Sequence, residues 1–246
     1  MSSSAHKLAQ LRRRLAAIEG HGVQLDAAPA MRFGLDEIDR NLPGGGLAPR
    51  AVHEIEGNAA TGFAASLLAA MGQLPGSFVW CQQTGIEADQ GRLYGPGLAA
   101  SGIDTGRFLV VRAGDDRAVF WAMEQALRCP SVTAVVGEID HIDLFASRRL
   151  QLAAEAGGGT GLILKPRALA QGTDILPSAA VTRWRVEPCL MKPSGPAFRP
   201  PIWTLDLWRN RAGTPRRWTV MWNEQTLRFD LVASLADRSL AVRDAS

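Results

Sequence analysis

Gly57-Asn58-Ala59-Ala60-Thr61-Gly62-Phe63-Ala64-Ala65-Ser66 decides how the rest of the chain is read. It follows Ala51-Val52-His53-Glu54-Ile55, which reads as a short strand, and it runs into an apolar helix expected over residues 63–71. A glycine, four residues and a second glycine between a strand and a helix form the frame of a phosphate-binding loop. In a working loop, backbone amides and the helix N-terminus cradle phosphate oxygens. A Lys then reaches the β/γ-phosphates and a Ser or Thr hydroxyl holds Mg²⁺. Here Phe63 stands at the Lys position and Ala64 at the hydroxyl position. An absent ammonium forfeits charge-assisted hydrogen bonds of about 1.5–3 kcal/mol each. The stretch therefore reads as a degenerate cradle that keeps its shape residues, Gly57 and Gly62, and has given up its chemistry. The plainer reading is two ordinary turn glycines.

Outward from this stretch the chain alternates. Residues 31–42 read as a short strand and a helix, and Pro43-Gly44-Gly45-Gly46-Leu47 as a turn. Strands are expected at 77–81, 108–112, 132–138 and 161–165, the second of them buried, with helices at 91–101 (broken by Gly95-Pro96-Gly97), 117–128 and 144–156 between them. This alternation predicts an α/β fold, a parallel sheet with flanking helices. From about residue 180 the grammar changes to strands at 181–188, 202–209 and 217–222, joined by Pro/Gly turns, which predicts an antiparallel C-terminal edge hairpin. Residues 1–22 form an N-terminal unit of helix and linker, with Leu8, Leu11 and Leu15 on an apolar stripe backed by Arg12-Arg13-Arg14. The core spans 31–225 and a tail 226–246.

Composition sets the class. With 46% hydrophobic and 21% charged residues over 246 positions, the chain has the make-up of a globular protein with one sizeable core. A formal charge of +3 is too mild to mark a nucleic-acid binder by itself. Three cysteines without a CxxC pair argue against a disulfide framework or zinc site, and a cytoplasmic location is expected. No membrane association is expected, because no apolar run reaches spanning length.

The strand ends lack hydrolytic chemistry. A nucleotide hydrolase on this plan needs an acid after the second strand and an Asp on a later one. Gln82 and Gln83 stand at the first place and Gly137-Glu138 at the second. Glu138, His141 and Asp143 invite a metal reading, but loop polarity and a helix N-cap by Asp143 explain them more simply. No catalytic residue, metal or cofactor is assigned, and the chain reads as a non-enzyme.

Charge concentrates between 183 and 217. Arg183, Arg185, Lys192, Arg199, Arg209, Arg211, Arg216 and Arg217 are interleaved with Trp184, Trp203, Trp208 and Trp218. This mixture suits a protein interface first. Core tryptophans with surface arginines come second, and direct DNA binding third. The partner-facing candidates are Arg183, Arg185, Trp208, Arg209, Arg211, Arg216, Arg217 and Trp218, with Leu8, Leu11 and Leu15 at the other end.

Taken in order, these motifs resemble the RecA recombinase core. Phe33-Gly34-Leu35-Asp36-Glu37-Ile38-Asp39 is similar to that family's lead-in to the loop strand, and Gly57 and Gly62 match its loop glycines. Residues 177–186 resemble the strand after its second DNA-binding loop. Residues 205–211 resemble the edge hairpin, where RecA carries two lysines that touch a neighbour's ATP; here Arg209 and Arg211 keep the charge. The segments matching the two DNA loops, near 138–145 and 165–178, are short and poor in base-stacking residues.

A closer resemblance is to the ImuA family, RecA/SulA-like accessory proteins of bacterial mutagenic repair. Pro43-Gly44-Gly45-Gly46-Leu47, the 59–65 stretch, Leu93-Tyr94-Gly95-Pro96-Gly97-Leu98 and residues 146–155 are similar to its signatures. The resemblance implies a non-catalytic adaptor in SOS-induced translesion DNA synthesis, with a RecA-like core. Implied partners are an ImuB-type Y-family polymerase homologue, RecA and an error-prone C-family polymerase, with weak or indirect DNA contact. The competing readings are a recombinase-like DNA-binding ATPase and a SulA-like cell-division inhibitor.

Overall fold

The computed structural model describes residues 30–166, 176–189, 200–211 and 213–232. The N-terminal stripe of Leu8, Leu11 and Leu15, together with Lys192 and Arg199, lies outside the described residues. In chain order the elements are α1 (Asp36–Asp39), β1 (Val52–Glu56), α2 (Ala60–Ala70), β2 (Ser77–Gln83), α3 (Thr84–Gln90), α4 (Gly95–Ala100), β3 (Phe108–Ala113) and α5 (Asp116–Leu127). They continue with β4 (Val132–Glu138), α6 (Leu144–Gly157), β5 (Thr160–Lys165), β6 (Thr182–Pro188), β7 (Ile202–Asn210), β8 (Arg216–Asn223) and β9 (Arg228–Leu231).

The strands form one nine-stranded sheet in the order β3-β2-β4-β5-β1-β6-β7-β8-β9. Strands β3 to β6 in that order run parallel, and β7, β8 and β9 add antiparallel to the edge. The fold is therefore the expected mixed α/β sheet with an antiparallel C-terminal side. Helix α2 and the Phe33 segment cover one face, packing Phe63, Leu67 and Leu68 on Trp80, Val136, Leu162, Trp184 and Val186. Helices α5 and α6 cover the other face, with Val119, Met123, Leu127, Leu150 and Ala154 over Val52, Val79, Val135 and Ile163. Strands β1 and β5 are buried along their whole length, as parallel strands covered on both faces must be.

Local chemistry sets the helix ends. Asp115 caps α5 by accepting from the amide of Ala118 at 2.8 Å, and Asp143 caps α6 by accepting from Ala146 at 2.6 Å. Gly158, left-handed at φ 91°, closes α6.

Four expectations need correction. Gln82 and Gln83 continue β2 rather than following it, and a helix, α3, comes directly after them. The helix expected from residue 91 starts at Gly95, with Pro96 in its first turn, where proline's missing donor is harmless. Strand β3 is the edge of the sheet rather than a buried strand, and Leu109 and Val110 are exposed on it. Part of the presumed tail is sheet: Arg228–Leu231 pairs with β8 and buries Phe229.

Candidate functional site: the loop and the basic hairpin

The loop after β1 is anchored by its own backbone. Gly57 donates to the carbonyl of Lys165 and Ala59 to that of Val186, both at 3.1 Å. Gly57 has φ +112°, and a Cβ there would overlap the Val186 carbonyl oxygen. Helix α2 begins at Ala60, two residues before Gly62, and Phe63 N donates to Ala59 O at 3.0 Å. The amides of Gly57, Ala59, Ala60 and Phe63 are thus spent inside the fold. This corrects the expectation of a preserved cradle: the glycine turn persists, but the helix starts early and the loop closes on β6.

Phe63 points inward and is 0% exposed. Its ring lies 6.2 Å from Phe33, 5.9 Å from Trp203, 5.7 Å from Phe229 and 6.4 Å from Trp184. Ala64 is equally buried, and Gly62 lies near enough to the Trp203 indole that a Cβ would touch it at 3.4 Å. The residue at the loop's lysine position is thus part of a buried aromatic cluster.

A chain of hydrogen bonds holds that cluster to β1. Trp184 Nε1 donates to Thr182 Oγ1 at 2.7 Å, and Thr182 Oγ1 lies 2.7 Å from His53 Nδ1. The Ala48 carbonyl 2.9 Å from Nε2 can only accept, so in a neutral imidazole Nε2 carries the hydrogen and Nδ1 accepts from the Thr182 hydroxyl. His53 is then neutral and donates from Nε2 to Ala48 O at 2.9 Å. Burial pushes its pKa from 6.5 down to about 4, despite that carbonyl.

Glu54 and Glu56 turn to the other face of the sheet. Glu54 is buried with Arg183 at 2.8 Å and Lys165 at 3.4 Å, and Ser178 donates to it. The Arg183 guanidinium also lies 4.2 Å from the centre of the Trp208 ring. Glu56 accepts from Arg185 at 2.7 and 3.0 Å, and Glu187 accepts from Asn58 at 3.0 Å. Glu54, Glu56 and Lys165 were not singled out from sequence, and Arg183 and Arg185 were singled out as partner-facing residues rather than as their ion-pair partners. Two glutamates inside a five-residue strand were the available signal.

The basic candidates do not form one patch. Arg183 and Trp218 are buried and belong to the interior, which corrects their assignment to a docking face. Trp184, Trp203 and Trp222 are core as well. Arg185, Trp208 and Arg217 remain at least partly exposed on the Glu56 side, with Arg217 bonded to Asp206 at 2.8 Å. Arg216 borders a different surface with Asp36, Glu37 and Arg40. Arg211 donates to Ala179 O at 2.9 Å, and Arg209 lies across from Arg183 in the β6–β7 register.

The acid/His stretch does not converge on a metal, and no metal-type group of acids, His and Cys occurs among the described residues. Glu138 turns inward, accepts from Trp80 Nε1 at 2.9 Å, and has its pKa raised by burial. Asp143 is the helix cap, and Asp116 accepts from the amides of Asp140 and His141 at 3.1 and 3.0 Å. Cys81, Cys129 and Cys189 are free, and no helix among the described residues is long and apolar enough to cross a membrane.

No protein-family model matches the chain. Two curated proteins, each named Protein ImuA and each from a strain of Caulobacter vibrioides, are 34% identical to it over 240 residues. The match covers 88% of this chain and 94% of each relative.

Proposed function

The chain belongs to the ImuA family, and from that premise we propose that it is a non-catalytic adaptor of damage-induced mutagenic DNA synthesis. Its proposed partners are an ImuB-type Y-family polymerase relative, RecA and an error-prone C-family polymerase. It works by contact rather than by turnover, on a RecA-like core. The observation that carries the reading is the burial of Phe63 among Phe33, Trp184, Trp203 and Phe229, where a nucleotide-binding loop needs a charged side chain. Glu138, facing Trp80 rather than solvent, supports it from β4 on the same face of the sheet.

The partner surface in this reading includes Arg185, Trp208 and Arg217 on the Glu56 side, with Arg209 and Arg211 at the end of β7. DNA contact is indirect, through the partners.

Two measurements test the reading together. Purified chain is titrated with Mg·ATP, and hydrolysis is followed with single-stranded DNA; neither saturable binding nor turnover is expected. Pull-downs with the ImuB homologue and RecA from the same organism are expected to retain at least one of them. Absence of both partners removes the adaptor reading. ATP turnover that disappears in Glu138→Gln replaces it with the ATPase reading.

A further inference from the structure

Glu54 and Glu138 are buried glutamates with opposite surroundings. Glu54, 3% exposed, is met by Arg183, Lys165 and Ser178. Glu138, at the end of β4, is 2% exposed. Its Oε1 accepts from Trp80 Nε1 at 2.9 Å, while its Oε2 is buried with no hydrogen-bond partner among the described residues. The elements around it bring no cation: β2 offers Trp80 and Gln82, β5 offers Leu164, and α2 carries no charged side chain. The charge that faces it is another carboxylate, Glu87 of α3. Further along the same end of the sheet, Asp116 is occupied by the amides of Asp140 and His141, and Asp143 by the cap of α6.

Gln82 sharpens the contrast. The register that sets Cys81 beside Gly137 brings Gln82 level with Glu138, and its amide lies beside the carboxyl. Gln82 Nε2 donates to Gly91 O at 3.1 Å, and Gln82 Oε1 is buried without a donor. Two adjacent buried side chains thus present unmatched acceptor oxygens. A carboxylate without a cation is costly to bury, whereas the neutral acid brings one donor of its own. Burial holds the Glu138 carboxyl above the usual carboxylate range, against the lowering effect of its Trp80 and Gln82 contacts, and Glu87 adds to the rise.

The helix that carries Glu87 is lightly held. Helix α3 has seven residues and no side-chain N-cap. Ile86 is buried beneath it, Glu87 pairs with the exposed Arg92 at 2.5 Å and Arg112 at 3.5 Å, and Gly91 at its C-cap accepts from Gln82. Short elements with few buried contacts are the first to open.

We propose that Glu138 stands in the native protein as a neutral carboxylic acid, and that its ionisation against Glu87 releases α3 from the end of the sheet, which makes the pair a proton-linked latch. Protonated, Glu138 gives Glu87 a neutral neighbour; ionised, it sets two buried carboxylates against each other. Lifting α3 lets water reach both. Protonation therefore favours the closed helix, and closure is lost as pH rises. Between the Glu138 titration midpoints of the open and closed forms, the open population grows by up to about tenfold per pH unit.

The full-length chain, with carbon-13 in its glutamate carboxyls, is titrated by NMR, and amide hydrogen exchange of Thr84–Gln90 is followed over the same pH range. The carboxyl signal missing from Glu138→Gln is expected to remain protonated where the other glutamates have ionised. Protection of Thr84–Gln90, corrected for intrinsic exchange, should fall as that signal titrates, by up to about tenfold per pH unit. Glu138→Gln keeps an acceptor for Trp80 and should lose this dependence. Glu87→Gln should lower the Glu138 midpoint. A Glu138 signal that titrates with the ordinary glutamates overturns the neutral acid. The latch is overturned by a signal that never titrates while the protein stays folded, by a midpoint that Glu87→Gln leaves unmoved, or by the same pH dependence of α3 protection in the parent and in Glu138→Gln.

Discussion

The ring of Phe63 meets the indole of Trp203 edge-on, with centroids 5.9 Å apart and planes at 82°. One side chain comes from the helix after the loop and the other from the antiparallel side of the sheet. The contact therefore joins the parallel half of the molecule to its C-terminal half at the position where a phosphate loop carries its lysine. Phe63→Ala should destabilise the fold by about 3–5 kcal/mol in urea unfolding, as loss of a buried aromatic does. Phe63→Lys should do at least as much harm and confer no affinity for ATP, because the ammonium would enter an apolar cluster. A Phe63→Lys protein with the parental unfolding midpoint would sink this account of the loop.

Gly57 and Gly45 separate two causes of glycine dependence. Both have positive φ, +112° and +78°, but a Cβ meets the Val186 carbonyl at Gly57 and open space at Gly45. Gly45→Ala should cost about 1–2 kcal/mol from backbone conformation alone. Gly57→Ala should cost clearly more, since the contact with β6 must also open. Equal shifts in the two denaturation curves would show that the loop is not held tightly against β6.

The Glu54 carboxylate is shared by Arg183 and Lys165 where water is excluded. Glu54→Gln should remove about 3–5 kcal/mol of stability, because it leaves buried cations uncompensated. Adding Arg183→Met to Glu54→Gln should recover part of that loss. Strictly additive effects in the double-mutant cycle would deny the coupling.

His53 gives the fold an acid-side dependence of known sign. Its folded pKa, about 4, lies below the unfolded value of 6.5. The unfolded chain therefore binds the proton first as pH falls. Stability from neutral His53 is complete above about pH 6.5 and drains away toward pH 4, at up to about 1.4 kcal/mol per pH unit. Glu138, with its pKa raised by burial, acts in the opposite sense, favouring the fold at low pH. His53→Gln retains Glu138, so the difference between the two proteins' stability–pH curves isolates His53. That difference should shrink as pH falls from 6.5 to 4, and a constant difference counts against the neutral tautomer.

Much of the architecture was legible because the parallel strands are apolar runs and the helices carry caps. Val132–Glu138 agrees with the expected strand to the residue, and Asp143 caps α6 as its position suggested. The direction of side chains was less legible. In β7 and β8, alternation identifies two faces but not which one is sealed, so sequence puts Trp218 on the surface although it is buried 6.2 Å from Trp184. Strand β9 escaped because four residues, Arg-Phe-Asp-Leu, are too few to establish a period. The inward turn of Phe63 depends on where α2 begins, and element boundaries are what sequence patterns fix least well.

The position of β1 also governs how the molecule can be made. Its hydrogen-bonding neighbours are β5 and β6, which begin at Thr160 and Thr182, more than a hundred residues downstream. On the ribosome, an early-synthesised strand must wait with both flanks bare until the last third of the polypeptide has emerged. Nascent chains stalled before residue 182 should be protease-sensitive and depend on chaperones, with protection of Val52–Glu56 arriving only when β6 is released from the exit tunnel.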